Sequence, residues 1–145
     1  MHITRYSDYA LRVLIYLSSD PERLTTIQAI ADSYGISKSH LMKVVNQLNQ
    51  LGYVSAVRGK NGGLRLGQDP ANINIGVVFR ETESDMNLVE CFSAANECSI
   101  APVCNLKNIL NEARTAFLAM LDQYTLADLI QPRNQVDLTR ILRIV

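Results

Sequence analysis

From about Thr4 to Ser18 the chain is apolar almost all round a helical wheel, through Ala10, Leu11, Val13, Leu14, Ile15 and Leu17. A helix without a clean polar face is buried on two sides, by its own domain and by something else. Thr25 and Gln28 have the spacing of a capping box and predict the start of a second helix. Ile27, Ile30, Ala31 and Tyr34 continue it with helical periodicity, and Gly35 is placed to end it in a left-handed turn. Ser37 then caps a third helix whose Leu41, Val44, Val45, Leu48 and Leu51 form a wide apolar stripe, stopped by Gly52. Two short helices joined through Gly35-Ile36-Ser37 give the layout of a helix-turn-helix.

After Gly52 the period changes. Tyr53 to Val57 reads as a strand and Leu64 to Leu66 as its return, with Asn61-Gly62 between them favouring a tight hairpin. A hairpin beside a helix-turn-helix is a wing. Ala71 to Glu83 predicts a short helix, with Val77, Val78 and Phe79 as its apolar contacts, leading into a loop that holds all three cysteines. From Cys104 onward a long amphipathic helix is expected. Its Leu106, Ile109, Ala113, Ala116 and Met120 follow the 3-4 spacing of a helix-pair seam, while Leu110, Phe117, Leu121 and Tyr124 point to a second, inward face. The segment after Leu129 looks loosely organised. The expected fold is mainly α: a winged helix-turn-helix over 1–70, a connecting helix, cysteine loop and dimerisation helix over 71–130, and a C-terminal tail over 131–145.

Charge sharpens this picture. The 145 residues have a formal net charge of zero, yet Ser33 to Gln68 holds Lys38, Lys43, Arg58, Lys60 and Arg65 with no acid. Glu81 to Glu97 then holds only acids. On a winged helix, an acid-free block predicts a polyanionic partner, double-stranded DNA. Lys38, Ser39, His40, Lys43 and Asn46 lie along the third helix, whose N-terminal half ordinarily reads base edges. Arg58, Lys60 and Arg65 on the wing suit phosphates or a narrow minor groove. No apolar run reaches the roughly 20 residues of a membrane span, and the N-terminus lacks the layout of a signal peptide, so a cytoplasmic protein is expected. His2 and His40 have no evident nucleophile or base beside them, and no phosphate-cradling loop occurs, so an enzyme is not expected.

Cys91, Cys98 and Cys104 are spaced C-x6-C-x5-C, unlike a C-x2-C zinc knuckle or a ferredoxin run. Soft thiolates suit iron–sulfur or zinc, and Pro102 stiffens the approach to Cys104, which sits at a helix start where free N–H groups favour negative charge. Spacing alone leaves iron–sulfur, zinc and semi-buried structural cysteines all open.

Taken together, Tyr6-Ser7-Asp8-Tyr9-Ala10-Leu11-Arg12, the stretch Ile36 to Leu48, the wing Arg58 to Leu66 and the three-cysteine loop resemble the bacterial winged-helix iron–sulfur repressors. Gly52-Tyr53-Val54 through Leu66, with Tyr124 to Leu129, look most like the nitric-oxide-sensitive branch of that family. The resemblance implies a homodimeric repressor whose Cys91, Cys98 and Cys104 hold an iron–sulfur cluster. It implies Asp8 of the other subunit as a fourth ligand, and operator release when nitric oxide reacts with the cluster. Read without the resemblance, Asp8 is a first-turn acid paired with Arg12 four residues on. A sister branch that ligates a 2Fe–2S cluster has a histidine three residues after its third cysteine, where this chain has Lys107, so a 2Fe–2S site of that kind is disfavoured while a different 2Fe–2S arrangement stays open; the resemblance makes 4Fe–4S the expected type. The alternatives are a regulator sensing cluster supply or redox state, and a metal-stabilised interaction module that never reads DNA.

Overall fold

The computed structural model describes residues 2–144. Helix α1 spans Arg5–Ser19 and is capped by Thr4, whose hydroxyl accepts from the Ser7 N–H at 3.3 Å. Ala10, Val13, Leu14 and Leu17 lie in the core, and Leu11 and Ile15 pack half-buried beside it. Helix α2 covers Ile27–Tyr34 and α3 covers Lys38–Gln50. Gly35 ends α2 at φ 64°, and its N–H donates to the Ala31 carbonyl. Leu41, Val44, Val45 and Leu48 turn into the core against α1, leaving the polar face of α3 outward.

Two caps differ from the sequence expectation. The cap of α2 is Thr26, which accepts from the Ala29 N–H at 3.1 Å, and Gln28 donates to Asp32 instead of closing a capping box with Thr25. Thr25 is buried because its backbone exchanges hydrogen bonds with Leu64, at 3.1 and 2.7 Å, and so fastens the wing to the body. Ser37 occupies the cap position of α3, but its hydroxyl pairs with Ser39 at 2.8 Å and no side-chain cap forms.

The wing is strand β1, Val54–Val57, antiparallel to β2, Gly63–Leu66, in the register Val57↔Gly63 to Val54↔Leu66. That register leaves Arg58 to Gly62 as the loop, longer than the tight Asn61-Gly62 turn expected. A two-residue turn of that kind needs positive φ at Asn61, whereas here Gly59 takes φ 109° and Asn61 does not. The Gly62 N–H closes the loop onto the Gly59 carbonyl at 3.0 Å, and a Cβ at Gly62 would overlap the Val57 carbonyl.

The chain then makes a 3-10 turn at Pro70–Asn72 before helix α4, Ile75–Thr82, capped by Asn74. The helix expected over Ala71 to Glu83 is therefore shorter, because Ile73 is extended and its carbonyl accepts from the Leu126 N–H at 2.8 Å. Val78 and Phe79 are buried, while Val77 faces out. Helix α5, Leu106–Leu121, packs through Phe117 edge-on against Phe79, with ring centroids 5.4 Å apart. Gly76 lets α4 approach Asp122 at the end of α5, where Arg80 donates to Asp122 at 2.8 Å. Helix α6, Leu126–Leu129, follows.

The tail expected to be loose is ordered. Helix α7, Pro132–Ile141, starts with a proline and a reciprocal cap between Gln131 and Asn134. It is docked on α1 and α2: Gln135 donates to the Ser19 carbonyl at 3.1 Å, Ser33 donates to the Leu142 carbonyl at 2.7 Å, and Leu142 enters the core.

Candidate nucleic-acid interface and cysteine loop

Buried positions of α3 at 41, 44, 45 and 48 force the intervening residues outward by helical geometry. Lys38, Ser39, His40, Lys43 and Asn46 are accordingly exposed on its outer face. Arg58, Lys60 and Arg65 are exposed on the wing. Among the described residues the ion pairs are Arg12–Asp8, Arg80–Asp122 and Arg140–Asp137, so these five cations have no carboxylate partner. A row of unpaired cations on a helix face and a hairpin can neutralise phosphates without first breaking internal pairs.

The base of this surface is tied to α4. Tyr53, at the junction of α3 and β1, donates its hydroxyl to the Glu81 carboxylate, and Gln47 of α3 donates to the Glu81 carbonyl at 3.1 Å. Burial, with the Glu81 hydrogen bond and charge, pushes the Tyr53 phenol well above its ordinary range. Tyr53 thus stays a neutral donor. Glu83, the next acid along, accepts from the Thr4 N–H and hydroxyl, both at 3.1 Å, and from Ser7 at 2.6 Å. Nothing local in the sequence singles out Glu81 or Glu83 from the acidic run around them; their partners lie 28 to 79 residues away.

Cys91 is half-buried in a 3-10 turn at Glu90–Phe92, Cys98 is exposed, and Cys104 is half-buried just before the Asn105 cap of α5. All three are free thiols. The loop is held by local bonds such as Glu97 N–H to Glu90 at 2.7 Å and Cys98 N–H to Asn96 at 3.0 Å. Arg114 of α5 anchors its flank, donating to the Met86 carbonyl at 3.3 Å and lying 4.7 Å over the Phe92 ring. A groove of about 620 Å³, lined by Ile3, Phe79, Met86, Leu88 and Phe117, separates the loop's first half from α5.

Among the described residues no three of the histidines, cysteines and acids come together as a metal-holding group, so the single chain does not gather the three thiols. Asp8 lies on the first turn of α1, 37% exposed and bonded bidentately to Arg12 at 2.9 and 3.0 Å. The donor set still fits an iron–sulfur group in kind. Three soft, unoxidised sulfurs share one loop that has no strand or long helix to resist rearrangement.

Helix α5 is open to solvent along its length. None of its residues is buried. The residues of the expected seam face solvent, with Leu106 56%, Ile109 54% and Met120 54% exposed; of the expected inward face Leu110 and Leu121 turn inward, joined by Leu118, whereas Phe117 and Tyr124 are 40% and 46% exposed.

The family model for Rrf2, described as an iron-dependent transcriptional regulator, matches residues 3–132. The chain belongs to the Rrf2 family. The HTH-type transcriptional regulator NsrR of Bacillus subtilis (strain 168) is 55% identical over 145 residues, covering 99% of this chain and 98% of that protein. The solved structure of CymR, the global cysteine regulator of B. subtilis, is 28% identical and superposes with a TM-score of 0.71 over 89% of this chain and 95% of that one. The IscR of T. potens, at 22% identity, shares the fold with a TM-score of 0.73, over 90% and 86% of the two chains. The chain is therefore a DNA-binding transcriptional regulator of winged-helix architecture and belongs with regulators, not enzymes. No helix among the described residues is long and apolar enough to cross a membrane.

Proposed function

We propose that the chain is a cytoplasmic, homodimeric repressor that responds to nitric oxide through an iron–sulfur cluster, of the 4Fe–4S type, held by Cys91, Cys98 and Cys104. Asp8 of the partner subunit is the fourth ligand in this reading. Similarity to the NsrR of B. subtilis supports the signal, and the solvent-facing apolar seam of α5 supports the dimer. Lys38, Ser39, His40 and Lys43 then read the operator from α3, and Arg58, Lys60 and Arg65 grip its backbone. When bound, the cluster supplies iron at which nitric oxide reacts.

The observation that carries the mechanism is the position of α4. Its C-terminal end runs directly into the cysteine loop, while Glu81 on its last turn holds both Gln47 of α3 and Tyr53 of the wing. A loop pinned at three cysteines fixes that end of α4, and with it the spacing of recognition helix and wing. A released loop lets α4 shift. Coupling of only about 1–3 kcal/mol gives roughly 5–150-fold in operator affinity. Asp8 adds a second route, because leaving Arg12 for a ligand position changes how α1 is held.

Replacing Cys91, Cys98 or Cys104 with Ala tests the assignment. Each variant should stay a folded dimer, since the α5 seam does not involve the loop, yet lose iron and sulfide after anaerobic purification and bind operator at least about 5-fold more weakly. Asp8→Ala should keep part of its cluster and respond differently to nitric oxide. Full iron and sulfide in the cysteine variants would remove the loop from the site, and loss of zinc instead would make the metal structural.

A further inference from the structure

Glu83 is the first residue beyond α4 and the last before the cysteine loop leaves the body of the protein. One of its carboxylate oxygens accepts three hydrogen bonds, from the Thr4 N–H, the Thr4 hydroxyl and the hydroxyl of Ser7, which is completely buried. These donors all belong to the N-terminal turn of α1, where unpaired N–H groups and the helix dipole favour an anion. A side chain 79 residues away thus serves as part of the cap of α1. Two residues earlier, Glu81 ties the same helix end to α3 and the wing. The two carboxylates face different parts of the DNA-binding unit from one point at the mouth of the loop.

We propose that Glu83 is the positioning residue through which the state of the cysteine loop reaches α1, so that removing it leaves cluster and DNA surface intact and disconnects one from the other. This rests on the cluster-dependent operator binding proposed above. A movement of the loop that passes the Arg114 anchor at Met86 reaches α4 through Glu83, the residue directly after its end. Through Thr4 and Ser7 that movement reaches the turn bearing Asp8, and α1 carries it along Ala10, Val13 and Leu14 to the core packed under α3. Glu81 keeps α3 and the wing registered on α4 as the turn moves. A static staple would have the same bonds and a different consequence: its loss would lower stability and leave the response to the cluster unchanged.

The test compares operator affinity of cluster-loaded and cluster-free full-length protein, with iron per chain matched, for wild type, Glu83→Ala, Glu83→Gln, Ser7→Ala and Asp85→Ala. Wild type should show a ratio within the range of about 5–150-fold, and Glu83→Ala should bring it to within about twofold of one at unchanged iron content. Glu83→Gln keeps an acceptor oxygen for the Thr4 N–H and should retain most of the ratio. Ser7→Ala, which loses the shortest of the three bonds to Glu83 and a contact from the Thr4 hydroxyl at 3.2 Å, should fall between, and it carries the test if Glu83→Ala does not fold. Asp85→Ala, two residues into the loop, should match wild type. Amide hydrogen exchange over Thr4 to Asp8 should differ between loaded and cluster-free wild type and become equal in Glu83→Ala. A Glu83→Ala protein that melts lower but keeps the wild-type ratio would make Glu83 a staple only and overturn this inference alone. A wild-type ratio of one would overturn the functional reading and the inference together.

Discussion

Arg12 holds together a small polar cluster on α1. Its guanidinium is bidentate to Asp8 and lies 5.9 and 5.7 Å from the rings of Tyr9 and Tyr34, and its carbonyl accepts from the Tyr34 hydroxyl at 3.0 Å. Both charged side chains are substantially exposed, so the pair itself adds only about 0.3–0.5 kcal/mol. Such a weak bond is one that Asp8 can give up. Burial pushes the Tyr34 phenol up to about 12, with the Arg12 charge opposing the rise. A phenol raised in the folded state keeps its proton there after the unfolded chain, ionising near 10, has begun to lose its own. Its contribution is therefore complete below about pH 10 and is lost as pH climbs towards 12. Denaturant unfolding of wild type between pH 9 and 11.5 should show stability falling, with Tyr34 responsible for on the order of 1 kcal/mol after allowing for its partial exposure. Tyr34→Phe should flatten that fall, leaving the share due to Tyr53 and Tyr6, both also raised by burial; an unchanged slope would show that the Tyr34 proton is not held.

At the scale of elements, the proposed interface divides the labour of binding between the wing and α3. Exposed cations on a hairpin meet phosphates, whereas the outer face of α3 presents short polar side chains among its lysines. Arg58→Ala and Lys60→Ala should each weaken binding to every sequence alike and reduce the slope of log affinity against log salt by about one. Changes at Ser39 or His40 should instead alter which operator is preferred. Titrations at several salt concentrations, on operator and unrelated DNA, check both; unchanged slopes in the double wing variant would remove the wing from the interface. These elements were legible in the sequence because their signals are local: the stripe at 41, 44, 45 and 48, the left-handed Gly35, the glycine-rich turn. Where the chain uses distant partners, the local pattern does not reveal them. Thr25 looked like a cap because Gln28 follows at the right spacing, yet Leu64 claims its backbone. Helix α7 looked loose because few of its residues are apolar and its hold comes from side chains bonding to carbonyls and hydroxyls over 100 residues away. The acids at 81 and 83 read only as a charge run for the same reason.

On the scale of the whole molecule, the two halves of opposite charge serve different ends. The basic half carries α3 and the wing, and the acidic half carries the end of α4, the cysteine loop and an α5 whose apolar seam is exposed. Among the described residues the three thiols are not brought together, so the geometry of the proposed cluster site is legible neither from spacing nor from the single chain. What unites these parts is α4, bonded to α3 and the wing through Glu81, to α1 through Glu83 and to the end of α5 through Arg80. The most direct test follows fluorescence anisotropy of labelled operator while nitric oxide is titrated anaerobically into cluster-loaded protein. The account predicts release of operator in step with loss of the cluster's absorbance, and no nitric oxide response in Cys91→Ala. Operator affinity that stays constant while the cluster is consumed would contradict it.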